Sequence, residues 1–165
     1  MVDVLEPYTK EIADIKRDLP DILRKILIKN KEQVLDILRK EQLGKGLDSK
    51  GKKLIHPSKR NRPDRWGIYE PITETYYAKK PPLPRKPKIR DKTYSFEWTG
   101  GLFDGMFLHF EDDKSFSLFS KDKKASFLEK EYGDIFTLTK KNNKQVNDEI
   151  LRPLMFDEII RRLFV

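Results

Sequence analysis

Apolar positions recur at helical spacing through the first quarter of the chain. Ile12, Ile15, Leu19, Ile22, Leu23, Ile26 and Leu27 fall on one stripe, and Val34, Leu35, Ile37 and Leu38 continue it. Pro20 interrupts the pattern, and proline is tolerated in a first turn but not in a helix interior. The spacing therefore predicts a break near Pro20, with Asp18 as N-cap of a second helix that stops near Gly44. Its other face carries Arg24, Lys25, Lys29, Lys31, Glu32 and Arg39. Such a helix packs one face on its own core or lies between subunits, and the pattern fits both.

Periodicity then stops. Residues 45–92 contain turn and polyproline signals, among them Gly44-Lys45-Gly46, Asn61-Arg62-Pro63 and Pro81-Pro82-Leu83-Pro84. So long a core-poor stretch reads as an arm, a linker or a binding surface.

Alternation returns after Trp98. Thr99 is placed to cap a short helical turn over 100–105. Met106 to Phe110 and Phe116 to Phe119 read as a β-hairpin closed by Glu111-Asp112-Asp113-Lys114-Ser115. Ala125 to Tyr132 reads as a short helix ended by Gly133, and Asp134 to Leu138 as a third extended piece. Thr139 caps a last helix to about Leu163, with Val146, Ile150, Leu154, Ile159 and Leu163 on its apolar face. Pro153 should kink or break it. The predicted class is α+β: a small antiparallel sheet packed by a long N-terminal helix and a C-terminal helix, with a long extended basic arm. The divisions are a helical segment 1–44, a basic proline-rich arm 45–92 and a core 93–165 that forms one domain with 1–44.

Charge sharpens the picture of the arm. Residues 45–92 hold 15 Lys/Arg against 5 Asp/Glu, a net of +10, so the rest of this +8 chain is slightly acidic at −2. The same segment has 7 of the 10 prolines. Six cations, Lys79, Lys80, Arg85, Lys86, Lys88 and Arg90, fall within residues 79–90. Upstream lies an aromatic island with Trp66, Tyr69, Tyr76 and Tyr77. Together these are candidate docking residues. Proline pre-extends such an arm and lowers the entropy lost when it docks on an acidic protein neighbour. Phosphate neutralisation by nucleic acid and simple solvated charge are the other readings.

Chemistry is sparse. The chain has no cysteine, which removes disulfides and thiolate ligands. Of two histidines, His56 lies in the arm and His109 alternates onto a strand's solvent face. No glycine-rich phosphate loop or serine elbow occurs. Asp157 and Glu158 sit beside Arg161 and Arg162 at helix-pairing distance. No catalytic residue, cofactor or metal site is expected, nor an enzyme. No run approaches the ~18 apolar residues of a membrane span, and the acidic N-terminus lacks a signal core.

The element order, with Thr99, Gly100 and Leu102 forming a Thr-Gly-x-Leu turn before the hairpin, resembles the minor virion proteins of tailed bacteriophages that complete the neck or tail top, the virion-morphogenesis group. Glu129-Lys130-Glu131-Tyr132-Gly133 is similar to that family's helix-Tyr-Gly stretch. Phe136-Thr137-Leu138 followed by residues 143–163 looks like its aromatic segment and final helix. The variant with a glycine-rich turn and long arm is similar to proteins of phages infecting Bacteroidetes. Phe103, Pro153 and the length of the arm depart from the family's pattern. The resemblance implies a structural job in the virion neck or tail: copies in a ring, arms reaching portal, neck or tail proteins, and a positive surface able to face DNA.

Overall fold

The computed structural model describes residues 6–55, 101–111 and 115–164. The chain is α+β, with a long N-terminal helix, a C-terminal helix and a two-stranded antiparallel sheet among the described residues. The Thr99–Gly100 half of the turn motif, the aromatic island and the cations from Lys79 to Arg90 lie outside them.

Helix α1 spans Glu6–Lys29 and continues unbroken through Pro20. The expected break at that position does not occur. Ile15, Ile22 and Leu27 are buried on both sides of the proline, so packing of a continuous apolar stripe outweighs the lost hydrogen bond. Asp18 is consequently no N-cap; its carboxylate accepts from Arg17 at 3.1 Å and Arg162 at 3.0 Å. The break falls instead at Asn30, whose side-chain amide donates to the Ile26 carbonyl at 2.8 Å. Helix α2, Lys31–Asp36, follows and widens into a π-helical segment, Ile37–Gln42. A 3-10 turn, Leu43–Lys45, ends the run at Gly46, whose left-handed φ of 67° suits a residue without Cβ.

Residues 45–55, the start of the segment read as an arm, pack on the core. Leu47 and Lys53 form an antiparallel bridge, Leu54 is buried, and the Asp48 carboxylate accepts from the amides of Lys50 and Lys52.

Helix α3, Gly101–Asp104, buries Leu102 and Phe103 and leads into β1, Met106–Phe110, which pairs with β2, Phe116–Ser120. The register sets Met106 opposite Ser120 and Phe110 opposite Phe116. Met106 and Leu118 face the core, while His109 and Phe119 are exposed, as the alternation predicts. Helix α4, Ala125–Tyr132, ends at Gly133 with φ 80°.

Residues 134–138 do not form the expected third strand. Scattered partners replace a strand ladder: Gln42 Nε2 donates to the carbonyls of Ile135 and Thr137, the Asp134 carboxylate accepts from the Thr137 amide, and the Asp134 carbonyl accepts from the Ser49 amide. Ile135 and Phe136 plug the core. Thr139 caps α5, Lys140–Gln145, its hydroxyl accepting from the Asn142 amide at 3.1 Å. A second π-helical segment, Val146–Leu151, passes into α6, Arg152–Phe164. Pro153 therefore does not break the helix. It sits just past the point where Arg152 N–H bonds back to Asn147, and the wider π turn absorbs the missing donor. The core gathers Val34, Leu35, Leu38 and Leu43 against Leu54, Met106, Ile135 and Val146.

Candidate interaction surface

Helices α1 and α6 pack together and, among the described residues, carry most of the exposed large apolar side chains. Asp18 bridges to Arg162 across the pair, and Tyr8 meets Phe164 with ring centroids 6.1 Å apart. On α6, Glu158 takes Arg161 at 2.8 Å and Arg162 at 3.0 Å, the pairing anticipated from the sequence. The Arg162 hydrogen bond, reinforced by Arg17, holds the Asp18 carboxyl below its usual range. Arg161 and then Arg162 do the same to Glu158. These are exposed pairs, and their contribution is orientation more than stability.

One face of this pair is left bare. Residues 8–13 are all exposed. Tyr8 and Ile12 stand one turn apart on α1, and Phe156, Ile160 and Phe164 line up at four-residue spacing on α6. Phe156 and Phe164 are 63% and 65% exposed, large apolar side chains that the rest of the chain leaves mostly uncovered.

Beside Phe156 a groove of about 660 Å³ opens between α1, the hairpin and α6. Leu23, Leu27, Phe110, Phe116, Leu151 and Met155 form its apolar walls. Its charged lining residues are Arg24, which lies over the Phe110 ring at 5.2 Å, and Arg152, paired with Asp148 at 3.1 Å. Asn143 and Asn147 add amides at the rim. A second cleft, of about 540 Å³, is bordered by Lys45, Lys50, Lys140 and Lys141 around the start of α5.

Of the sequence candidates, Leu102 is buried and its carbonyl accepts from the Ser120 hydroxyl at 2.7 Å, tying the turn motif to the hairpin. Thr99, Gly100, Trp66, Tyr69, Tyr76, Tyr77, Lys79, Lys80, Arg85, Lys86, Lys88 and Arg90 lie outside the described residues. The exposed apolar face of α1 and α6 is not legible in the sequence, because Tyr8, Ile12, Ile160 and Phe164 follow the same periodicity as the buried positions. Arg39, expected on a solvated face, turns inward and donates to the Phe103 carbonyl at 2.8 Å.

No group of three or more His, Asp or Glu placed to hold a metal occurs among the described residues. No described helix is long and apolar enough to cross a membrane. Comparison with protein-family models, curated proteins and solved structures finds no match for this chain.

Proposed function

We propose that this chain is a structural virion protein of a tailed phage, a ring-forming neck or tail-completion subunit at the head-tail connection. The observation that carries the reading is the uncovered apolar face of α1 and α6, from Tyr8 and Ile12 to Phe156, Ile160 and Phe164. Apolar side chains at this density on a small chain mark a protein contact. The element order that resembles the neck and tail-completion group supports the same reading. The subunit acts by binding, not by catalysis: its copies close into a ring through a heterologous contact, and the basic arm fastens neighbouring neck, portal or tail proteins. Electron microscopy of the purified chain is expected to show closed rings, and virions made without it should lose the head-tail joint. Strictly monomeric protein together with intact joints would remove the proposal.

A second reading, a basic accessory protein that binds nucleic acid, is favoured by the +10 charge of residues 45–92. It predicts DNA affinity that falls by about 10³–10⁵ between 50 and 200 mM salt if some 6–10 phosphates are contacted. Absence of salt-sensitive DNA or RNA binding removes it.

A further inference from the structure

We infer that the lysine-walled cleft at the start of α5 carries the phosphodiester backbone of a nucleic acid. This rests on the nucleic-acid reading above and says where on the folded body that binding falls.

Convergence comes first. Lys45 and Lys50, on the folded start of the basic segment, and Lys140 and Lys141, in the first turn of α5, line one cleft of about 540 Å³. All four residues are exposed. The backbones that carry them are pinned together. Ser49 N–H donates to the Asp134 carbonyl at 3.1 Å, and Gln42 Oε1 accepts from Thr139 N–H at 2.9 Å. Positive charge from two distant parts of the sequence is thereby held around one concavity, where the fields of its walls add.

That charge is also available. The lining has four ammonium groups and a single carboxylate, Glu41, which pairs with Lys45. Lys50, Lys140 and Lys141 form no ion pair among the described residues, and Lys141 acts on Glu41 through its field alone. Asp48 and Asp134, the other carboxylates of these loops, lie outside the lining and accept from the amides of Lys50, Lys52 and Thr137.

The chemistry of the lining selects the occupant. Leu47 is its one aliphatic side chain and no aromatic residue borders it. A protein contact centred here would lack the packed apolar anchor such contacts are built on. Lysine's ammonium is a compact, hydrated point charge that meets a phosphate without fixed geometry. Lys52 and Lys53 follow on the same loop, both exposed. Residues 56–92 then add 11 Lys/Arg against 4 Asp/Glu. Charge running on along the chain suits an extended polyanion better than a single small anion.

The test uses full-length protein and a short labelled DNA duplex. One variant combines Lys50→Gln, Lys140→Gln and Lys141→Gln. A control, Lys16→Gln with Lys25→Gln and Lys29→Gln, removes the same charge from α1. All six side chains belong to exposed residues, so circular dichroism should match the wild type. The cleft variant should bind at least about tenfold more weakly near 100 mM salt, and its slope of log affinity on log salt should be shallower by about 2–3. The control should lose less than about threefold. Equal losses in the two variants would mean that net charge alone acts, and overturn the cleft. A cleft variant with the wild-type slope overturns it too, and leaves the nucleic-acid reading to residues 56–92. Poly-glutamate that binds as tightly as the duplex, with the same loss in the cleft variant, would give the cleft to an acidic protein and overturn the phosphate assignment. A wild type without salt-sensitive binding to DNA or RNA overturns both the cleft and the reading beneath it.

Discussion

Gln42 is fully buried and uses every polar atom of its side chain. Its amide nitrogen donates to the carbonyls of Thr137 at 2.9 Å and Ile135 at 3.4 Å, and its oxygen accepts from Thr139 N–H at 2.9 Å and Asn142 Nδ2 at 3.3 Å. Replacing it with Leu would keep the volume and orphan those partners, each at about 1–3 kcal/mol. We expect Gln42→Leu to cost about 2–4 kcal/mol in urea unfolding, more than truncation of an exposed apolar residue such as Phe127. Ion pairs on the surface behave differently. Asp18 titrates below its ordinary value because Arg162 and Arg17 bind the carboxylate. A lowered folded-state value means the pair's stabilisation is present above the unfolded value of about 3.9 and disappears as pH falls through the folded one. The difference in melting temperature between wild type and Asp18→Asn should therefore be seen at pH 7 and vanish in strong acid. Glu129 is the opposite case: burial first, then the Asp134 charge, raise its carboxyl. Its charged form is disfavoured in the fold, so Glu129→Gln should raise stability at neutral pH and leave it unchanged well below pH 4.

At the scale of elements, prolines and glycines sort by what surrounds them. Pro20 lies deep inside α1, where proline costs about 3 kcal/mol relative to alanine in an isolated helix. Pro20→Ala should stabilise the chain by about 1–3 kcal/mol, read as a higher urea midpoint at unchanged slope. Gly105 ends the turn motif for a steric reason. A Cβ there would come within 2.9 Å of Ser120 Oγ, 3.0 Å of the Gly101 carbonyl and 3.1 Å of Asp122 N. Gly105→Ala should cost about 1–3 kcal/mol and loosen the Ser120–Leu102 hydrogen bond, visible as faster amide exchange in the hairpin. The hairpin, the short helix before Gly133 and the Thr139 cap were legible in the sequence, since each is set by alternation or by a residue acting on near neighbours. The extent of α1 was not, because proline's local penalty was overruled by packing on α6. Nor was the irregular path of residues 134–138, whose backbone partner, Gln42, lies more than ninety positions away.

Among the described residues, a core rich in distant contacts stands beside helix faces whose apolar side chains are exposed. The class was readable because helical stripes and one alternating hairpin persist despite 38% charged residues. The exposed apolar face was not, since a stripe does not announce which of its turns the core covers: Ile15 is buried and Ile12, one turn earlier, is 44% exposed. The charge of residues 45–92 alone does not choose between a protein neighbour, nucleic acid and simple solvation, and salt dependence separates them.

The Gln42 junction also bears on the order in which the protein can come into being. Its partners are separated by up to 100 positions, so the N-terminal helices cannot acquire their lid until residues 135–142 have been synthesised. Closing a loop of that length costs entropy before any contact rewards it. Nascent chains halted before residue 134 should leave the amides of Val34 to Leu43 open to exchange, and chains carried past residue 150 should protect them. On the ribosome, this fold is a late event, completed from its C-terminal end.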